Sequence, residues 1–384
     1  MNKRILWLLL LILLLLSGEG LAFLSTWITP NLYDHRDAVF AEFTPEDLEK
    51  FRSRAASSTL GWDNVPGRRE TPNCLNKTQV VTVSSDRVRV HGSPAAGNIR
   101  VLVTGDSYTF GDEAEDHETF PAMLERNLGV RVANLGVGGY DPTQAVLKLE
   151  QTIDRYPQAQ VAVLAIQTEN VLRMLNSYRP VYYKGTGIRY GFKPFMGDGM
   201  LRPLIDPDPW SSLDKVTEVA NQAFDTDYWR KPRAKFPFTI AFAKAITSNT
   251  FLVELKADLA DLLRRPTYIY IVGESDVEHN LTAILDRFVS FSVKRHLVPV
   301  IAMIPKSGDD PTSGASMLAQ AITPALAGSL VVVNVGEGVD WSRYNLGGRR
   351  RTCHPSAYGY ATIAESVAAP VRRLLATRLR EPAG

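Results

Sequence analysis

A serine placed like a nucleophile follows a short β-branched run near residue 100. Residues 100–104 (RVLVT) predict a buried strand, and Gly105, Asp106 and Ser107 follow it directly. Glycine before the serine permits a tight turn, and the first N–H groups of a following helix can stabilise negative charge on a substrate oxygen. A Gly-Asp-Ser tripeptide is common, however, and a serine here also suits a helix N-cap. The stretch alone therefore predicts either a nucleophile or a cap at Ser107.

Three further segments could complete a site around that serine. The second predicted strand ends in Asn134 and a glycine-rich turn, in which Gly139 permits close approach of a substrate oxygen. The third ends in Gln-Thr-Glu-Asn at residues 167–170, and His354 opens the last helix. Histidine can take a proton from a serine hydroxyl, and N–H groups can stabilise an oxyanion. Together these segments predict an acyl-transfer site.

Alternating strand and helix signals indicate how these residues are positioned. Strand-like runs recur at 130–135, 161–166, 268–272, 298–304 and 330–335, and helical apolar spacing lies between most of them, as in 117–128. Such alternation predicts an α/β fold with a parallel central sheet between two layers of helices. Ligands bind these sheets at the carboxyl ends of the strands, so we expect the polar segments to meet at one edge.

The N-terminus predicts a membrane-targeting segment. Lys3 and Arg4 precede an apolar run over residues 5–16, and Gly20-Leu21-Ala22 would suit cleavage of a signal peptide. Counted through Ile28, the segment is also long enough for a single-pass anchor, which we favour. In both cases the positive residues stay cytoplasmic. We therefore expect a cell-membrane protein with a periplasmic or cell-surface catalytic domain, or a secreted one after cleavage.

The remaining chain divides into a spacer and one large domain. Residues 29–97 predict a spacer with a small hairpin formed by 79–83 and 87–90, and residues 98–380 predict the catalytic domain. Regularity fails at about 176–237, which predicts an insertion over the active face as a lid or substrate platform. Its tyrosines suit stacking on sugars or the insertion's own core: Tyr178, Tyr182, Tyr183 and Tyr190.

Composition excludes several classes of partner and cofactor. A net charge of +2 with 45% hydrophobic residues is that of an ordinary globular protein and lends no support to nucleic-acid binding. The sequence contains neither a phosphate-binding loop motif nor paired cysteines of zinc sites, so we expect no cofactor and no metal. Cys74 and Cys353 could form one bridge, or Cys353 could be an inert or functional thiol. Oligomeric state is left open.

The ordered motifs resemble those of the SGNH or GDSL hydrolase family over roughly residues 99–379. The resemblance implies a three-layer, flavodoxin-like fold, with Ser107 as nucleophile and the backbone N–H groups of Ser107 and Gly139 in the oxyanion hole. The third motif of the family is usually Gly-x-Asn-Asp, and strict alignment places Glu169 at its asparagine. Because a carboxylate would repel an oxyanion, we expect Asn170 to take this role after a one-residue shift.

The resemblance also implies that His354 is the catalytic base. In most members an aspartate three residues earlier orients this histidine, but Arg351 stands there. The alternatives are a Ser-His dyad oriented by a main-chain carbonyl, or a remote acid, for which Asp340 is the candidate. Asp340 also suits an ordinary loop position. The basic run 349–351 could contact an anionic glycan or form a solvated loop.

These inferences predict an esterase that removes acyl groups, such as O-acetyl groups, from a polysaccharide or envelope glycan. The acylated glycan, or another ester substrate, is the expected partner. One alternative is a polysaccharide O-acyltransferase of the same fold, in which a second hydroxyl replaces water. The other is a non-catalytic glycan-binding or assembly protein, in which the missing aspartate marks lost catalysis.

Overall fold

Five parallel strands form the centre of the fold. The computed structural model describes residues 3–92, 96–182, 188–263, 275–305, 321–336, 338–347 and 353–378. The strands are β1 Ala56–Ser57, β2 Gly61–Trp62, β3 Gly67–Pro72, β4 Thr78–Val83, β5 Ile99–Thr104, β6 Arg131–Asn134, β7 Val161–Gln167, β8 Phe195–Gly197, β9 Met200–Arg202, β10 Val298–Ile304 and β11 Val331–Asn334. The central order is β11-β10-β7-β5-β6, with every neighbour parallel. Counted along the chain this is 2-1-3-4-5, the flavodoxin-like order, which confirms the predicted fold.

Helices cover both faces of this sheet. The α-helices are α1 Lys3–Ile28, α2 Arg36–Phe40, α3 Pro45–Arg54, α4 Ser107–Phe110, α5 Phe120–Leu128, α6 Pro142–Thr152, α7 Arg179–Tyr182, α8 Leu213–Thr226, α9 Phe238–Ile246, α10 Asn249–Leu262, α11 Ser275–Lys294, α12 Pro324–Ala327, α13 Trp341–Tyr344 and α14 Ala357–Arg378. Short 3₁₀ helices span Pro30–Leu32, Ile153–Arg155 and Thr168–Leu175. Helices α5 and α14 pack on one face, and α6 and α11 contact strands of the sheet as well as each other.

Alternation of side chains explains why the central strands are so apolar. Val101, Val103 and Val163 point into the core beneath α5 and α14, where they pack with Phe120 and Ile363. The residues between them point to the opposite face, because successive side chains of a strand alternate. All seven residues of β7 are consequently buried. The parallel arrangement brings the carboxyl ends of β5, β6 and β7 to one edge.

The chain separates into two compact units. The first contains Met1–Arg52, Asn176–Phe192 and Ile205–Thr267, and the second contains Ser53–Leu175, Lys193–Leu204 and Tyr268–Gly384. The central sheet lies in the second unit. The irregular region predicted as an insertion therefore supplies most of the first unit, together with α1 and the segment after it.

Aromatic packing stabilises the first unit. Tyr178 and Phe192 are fully buried, and their rings stack with centroids 4.4 Å apart. Tyr190 is also buried, and the Tyr182 ring packs on Trp229 at 5.3 Å. Tyr178 and Tyr190 thus form the core of their own unit, as one of the two alternatives predicted. Tyr183 lies outside the described residues, as do the predicted strand at 268–272 and the basic run at 349–351.

The predicted hairpin includes a further strand. β4 pairs antiparallel with β3 along its length, and Arg89 of the segment 87–90 forms antiparallel bridges with Val83 and Asn134. The Arg89 side chain is buried, forms an ion pair with Asp116 at 3.0 Å and donates to the carbonyl of Ala114 at 2.8 Å. The N–H of Ser84 donates to the carbonyl of Val88 at 2.9 Å, and the N–H of Val90 donates to that of Thr82 at 2.9 Å. The segment 87–90 therefore lies antiparallel beside the end of β4 and carries a buried polar anchor.

Helix α1 is the one helix among the described residues that is long and apolar enough to cross a membrane. Its 26 residues rise about 39 Å at 1.5 Å per residue, which exceeds a hydrocarbon core of about 30 Å. Its leucines are largely exposed on the protein. These properties are compatible with an anchor or a signal sequence.

Candidate active site

The turn between β5 and α4 presents Ser107. A Cβ atom on Gly105 would lie only 2.6 Å from the carbonyl oxygen of Ala165, so the close approach of β5 and β7 requires glycine there. Asp106 is the N-cap of α4, and its carboxylate accepts from the N–H of Tyr108 at 2.8 Å. Ser107 is therefore not the cap, and its hydroxyl is available for another role.

His354 lies within hydrogen-bonding distance of this serine. Its Nε2 is 2.9 Å from Ser107 Oγ, although 247 residues separate the two in sequence. Its ring also packs at a tilt against Tyr108, with centroids 5.5 Å apart. Because Nε2 faces the hydroxyl, the imidazole is positioned to accept the serine proton.

Glu113 occupies the other side of the imidazole. Its Oε2 atom is 3.6 Å from His354 Nδ1 and accepts from the backbone N–H of His354 at 2.9 Å. The backbone N–H of Cys74 also donates to this carboxylate. Glu113 has a φ of +65°, a left-handed conformation that a non-glycine residue adopts only where its surroundings hold it. Ser107, His354 and Glu113 thus form a Ser-His-Glu arrangement.

The charges of this arrangement shift the pKa values of both partners. Burial alone would raise the pKa of Glu113, but hydrogen bonds from His354 and Cys74 outweigh it and lower that pKa. Burial alone would lower the pKa of His354, but the close Glu113 carboxylate and the negative charge of Asp112 raise it above its usual value. Asp112 Oδ2 lies 3.9 Å from Nε2. The site therefore favours an imidazolium, the form that exists once the serine has lost its proton.

A disulfide between Cys74 and Cys353 supports the acid and the base together. Their Cα atoms are 6.1 Å apart, and the bond joins the β3–β4 turn to the residue directly before His354. The backbone N–H of Cys74 donates to Glu113. Cys353 directly precedes His354, whose backbone N–H also donates to Glu113. The sulfur atoms and the Glu113 carboxylate lie within 4.8 Å, but bonded sulfurs are not thiolate ligands. The bridge is thus structural rather than metal-binding.

The acid suggested by the sequence was Asp340 and not Glu113. Asp340 is the N-cap of α13, and its carboxylate accepts from the N–H of Ser342 at 3.0 Å and from its hydroxyl at 2.6 Å. The described carboxylates beside the His354 ring are Glu113 and Asp112. The structure therefore places Glu113, and not Asp340, at Nδ1. The adjacent acids at 112 and 113, just after the nucleophile turn, were the available signal in the sequence.

The predicted oxyanion donors come from three turns of the same unit. Gly139 lies between β6 and α6 with a φ of +81°, which a residue with a side chain rarely adopts. Among the described residues, the backbone N–H groups of Ser107 and Gly139 make no hydrogen bond. Both are therefore free to bind a substrate oxygen.

Asn170 lies directly against the nucleophile turn. Its side-chain Nδ2 donates to Asp106 Oδ2, which leaves the second N–H of the same amide for another acceptor. Glu169, the alternative from strict alignment, forms an ion pair with Arg173 at 3.6 Å. The asparagine, and not the glutamate, thus meets the Gly-Asp-Ser turn, as the one-residue shift predicts.

Comparison with known proteins gives matches among solved structures. No protein-family model and no curated protein sequence matches the chain. It is similar to a protein described as lipolytic, of the G-D-S-L family, from Desulfitobacterium hafniense DCB-2, with 11% identity and a TM-score of 0.34 over 72% of this chain and 99% of that one. It is also similar to AlinE4, described as an SGNH-hydrolase family esterase, with 16% identity and a TM-score of 0.30 over 75% of this chain and 100% of that one. Both structures bear the name of the family that the motifs of this chain resemble.

Proposed function

We propose that this chain is a membrane-anchored serine hydrolase of the SGNH type that cleaves ester-linked acyl groups. The observation that supports it most strongly is the 2.9 Å contact between Ser107 Oγ and His354 Nε2, with Glu113 at the other ring nitrogen. A nucleophile, a base and an orienting acid in this order are the components of acyl transfer through an acyl-enzyme.

In the first half of the reaction His354 Nε2 takes the Ser107 proton while Oγ attacks the acyl carbonyl. The ester C–O bond then breaks, and the imidazolium returns its proton to the leaving alkoxide. In the second half Nε2 takes a proton from water, whose oxygen attacks the acyl-serine, and Oγ leaves with that proton. Glu113 holds the tautomer of His354 and stabilises its positive charge throughout.

The negative charge that develops on the carbonyl oxygen requires donors. The backbone N–H groups of Ser107 and Gly139 and the second N–H of Asn170 are the proposed donors. A well-placed donor in such a site lowers the activation free energy by about 3–4 kcal/mol. Because these groups are held by turns and by Asp106, they need little rearrangement during the reaction.

The presence of Glu113 favours an enzyme over a non-catalytic binding protein. That alternative depended on the absence of an acid from the position of Arg351. Glu113 supplies the acid from a different part of the chain, and its carboxylate is held by two backbone N–H groups. Glu113 adopts a positive φ, which costs conformational free energy, and contacts His354 in that conformation. A protein that had lost catalysis would have no use for this costly contact.

We propose an extracytoplasmic location, with α1 as the anchor. The positive residues before the apolar run favour translocation of the rest of the chain, and disulfides persist chiefly in oxidising compartments. Contacts of α1 also support retention: Glu19 accepts from the N–H of Phe238 at 2.7 Å, upstream of the sequence suited to cleavage. We propose O-acylated polysaccharides or envelope glycans as the substrates in that location, with O-acetyl as the first group to test.

Active-site labelling tests the nucleophile. The wild-type chain, a Ser107→Ala variant and a Ser212→Ala control are treated with a serine-directed phosphonate and analysed by peptide mass spectrometry. Ser212 is a matched control because it also begins a helix, α8, where its hydroxyl caps the N–H of Lys215. We expect labelling at Ser107 in the wild type and the control. Absence of labelling from both, in folded samples, would contradict the proposed nucleophile.

Product analysis separates hydrolysis from transfer. O-acetylated glycans and simple acetyl esters are supplied with and without a non-acylated glycan acceptor, and released acetate is compared with acylated product. Acetate release without an acceptor, lost in Ser107→Ala, supports the esterase. Product formed only when the acceptor is present would identify an O-acyltransferase with the same nucleophile.

A further inference from the structure

A cavity of about 700 Å³ lies in the first unit, far along the sequence from the active-site motifs. Its wall is formed by the end of α8, the segment that joins α8 to α9, the outer face of α9 and Arg36. Phe236 and Ile240 line it and are 73% and 53% exposed. The lining therefore combines exposed apolar side chains with polar ones, and the proposed reaction uses none of its residues.

Positive charge dominates the lining. Six lining residues are cationic: Arg36, Arg230, Lys231, Arg233, Lys235 and Lys244. Arg36 forms ion pairs with Asp34 at 2.9 Å and Asp225 at 2.6 Å, and Lys231 lies 3.8 Å from Glu254. Within the part of the chain that the structure describes, the other four cations form no ion pair. Four cations around one cavity that have no ion pair among the described residues indicate an anionic ligand.

After Arg36, whose side chain is 3% exposed, Lys231 is a further enclosed cation of this lining. Its side chain is 16% exposed and donates to the carbonyl oxygen of Asn31 at 2.6 Å. Burial lowers its pKa, although the nearby Glu254 opposes this effect. Burial removes water that would stabilise the positive charge of Lys231, and Glu254 at 3.8 Å replaces only part of that stabilisation. A second anion in the cavity would therefore stabilise the charge further.

Helix α9, which forms one wall, runs beside the outer part of α1. At its start Glu19 accepts from the N–H of Phe238 at 2.7 Å, and the ring of Phe23 packs on that of Phe238 with centroids 5.0 Å apart. Nearer its end, Ala241 and Ala245 pack with Tyr33, which follows α1. Helix α9 is therefore roughly level with the stretch from Glu19 to Tyr33.

This placement gives the depth of the cavity in a bilayer. A hydrocarbon core of about 30 Å takes about 20 helical residues, so a span that begins at Ile5 reaches the outer boundary near Leu24. The start of α9 then lies in the hydrocarbon core just below the headgroups of the outer leaflet. Contact of the exposed Phe236 and Ile240 with acyl chains is favourable there. The end of α9, with Lys244, lies at the level of the headgroups.

We propose that this cavity binds the phosphate headgroup of an anionic lipid in the outer leaflet of the membrane that α1 crosses. The inference depends on the anchored state proposed above, but not on the esterase chemistry. Guanidinium groups bind phosphate oxygens in pairs and lysines add positive charge, while the apolar rim contacts the first methylenes of the acyl chains. Basic pockets beside transmembrane helices bind lipid headgroups in this way.

Native mass spectrometry of the full chain tests the proposal. The protein is reconstituted in phosphatidylcholine bilayers with or without phosphatidylglycerol and transferred to a neutral detergent, and the retained lipid is counted. The test variant is Arg233→Ala/Lys235→Ala/Lys244→Ala. The control, Arg68→Ala/Lys294→Ala/Arg373→Ala, removes the same charge from exposed positions of the second unit.

We expect the wild type and the control to retain one phosphatidylglycerol. Each basic residue near an anionic surface strengthens binding about fivefold, so the triple variant should bind on the order of 100-fold more weakly. Equal retention by both triple variants would overturn the proposal. Binding of inorganic phosphate to the protein in phosphatidylcholine alone, without preference for phosphatidylglycerol, would also overturn it by identifying a soluble ligand.

Phosphonate labelling of Ser107 in the same samples tests the proposed hydrolase separately from the proposed lipid site. Labelling that is unchanged in the triple variant, with loss of lipid, supports the lipid site independently of catalysis. Because Arg233, Lys235 and Lys244 are exposed, their replacement should leave the fold intact, which thermal unfolding of each variant checks.

Discussion

Replacing Glu113 by glutamine tests the proposed site most directly. Glutamine has nearly the same shape and can still accept a hydrogen bond from Nδ1–H, so the position of His354 should change little. What the variant loses is the negative charge 3.6 Å from Nδ1. The change therefore separates the electrostatic role of the acid from its packing.

The distance gives the size of the effect. Two unit charges 3.6 Å apart interact by about 5 kcal/mol at an effective dielectric constant of about 20. The side chains of His354 and Glu113 are 28% and 20% exposed, and solvent screening should reduce this to about 2 kcal/mol. Because the imidazolium forms only along the reaction, that loss falls on the transition state. We expect kcat/KM to fall roughly 30-fold at neutral pH.

The pH profile checks the cause. Neutral His354 is the active base, so kcat/KM of the wild type rises with pH through the pKa of His354, which lies above its usual value near 6.5. Without the charge of Glu113 that pKa falls, and the rise moves to lower pH. The difference between wild type and variant should therefore shrink as the pH falls below the wild-type pKa.

Asp340→Asn is the matched control. Asp340 is the acid suggested by the sequence, but its carboxylate caps α13 and is exposed, so we expect less than a twofold change in kcat/KM. A steady-state pH series with one acetyl ester measures all three proteins. The assignment is refuted if Glu113→Gln keeps the wild-type profile while Asp340→Asn shifts it to lower pH.

Three further predictions concern the rest of the chain. Asn170→Ala should lower kcat about 100-fold with a smaller change in KM, whereas Glu169→Gln should lower it only slightly; equal losses in steady-state assays would argue against the asparagine as donor. Replacing Cys74 and Cys353 by serine should lower the free energy of unfolding by about 2–4 kcal/mol in denaturant titrations. It should also lower kcat, because the bridge positions both backbone N–H groups that donate to Glu113. Unchanged activity would show that the bridge does not support the catalytic acid. Mass spectrometry of the membrane-bound protein should find an N-terminal peptide that includes Glu19, and a terminus after residue 22 would instead show cleavage.

Much of the fold was predictable because it depends on local patterns. All five central strands were found within one residue at each end from their apolar runs, and the runs for β6 and β11 extend one residue beyond the strand at both ends. Burial on both faces makes such strands apolar throughout, so their signal is strong. The pairing of β4 with β3 was not predictable in this way, because β3 is polar and largely exposed and has no apolar alternation.

The sequence by itself determined Ser107, His354 and the chemistry that they suit, because turn residues at strand ends place side chains at a known edge of a parallel sheet. The resemblance to the family's third motif, together with the charge of Glu169, also predicted Asn170 as the donor. Tertiary structure decided the orienting acid and the bridge: Glu113 and His354 are 241 residues apart, and Cys74 and Cys353 are 279 apart. Local periodicity contains no information about such pairs, because their proximity results from how the whole chain packs.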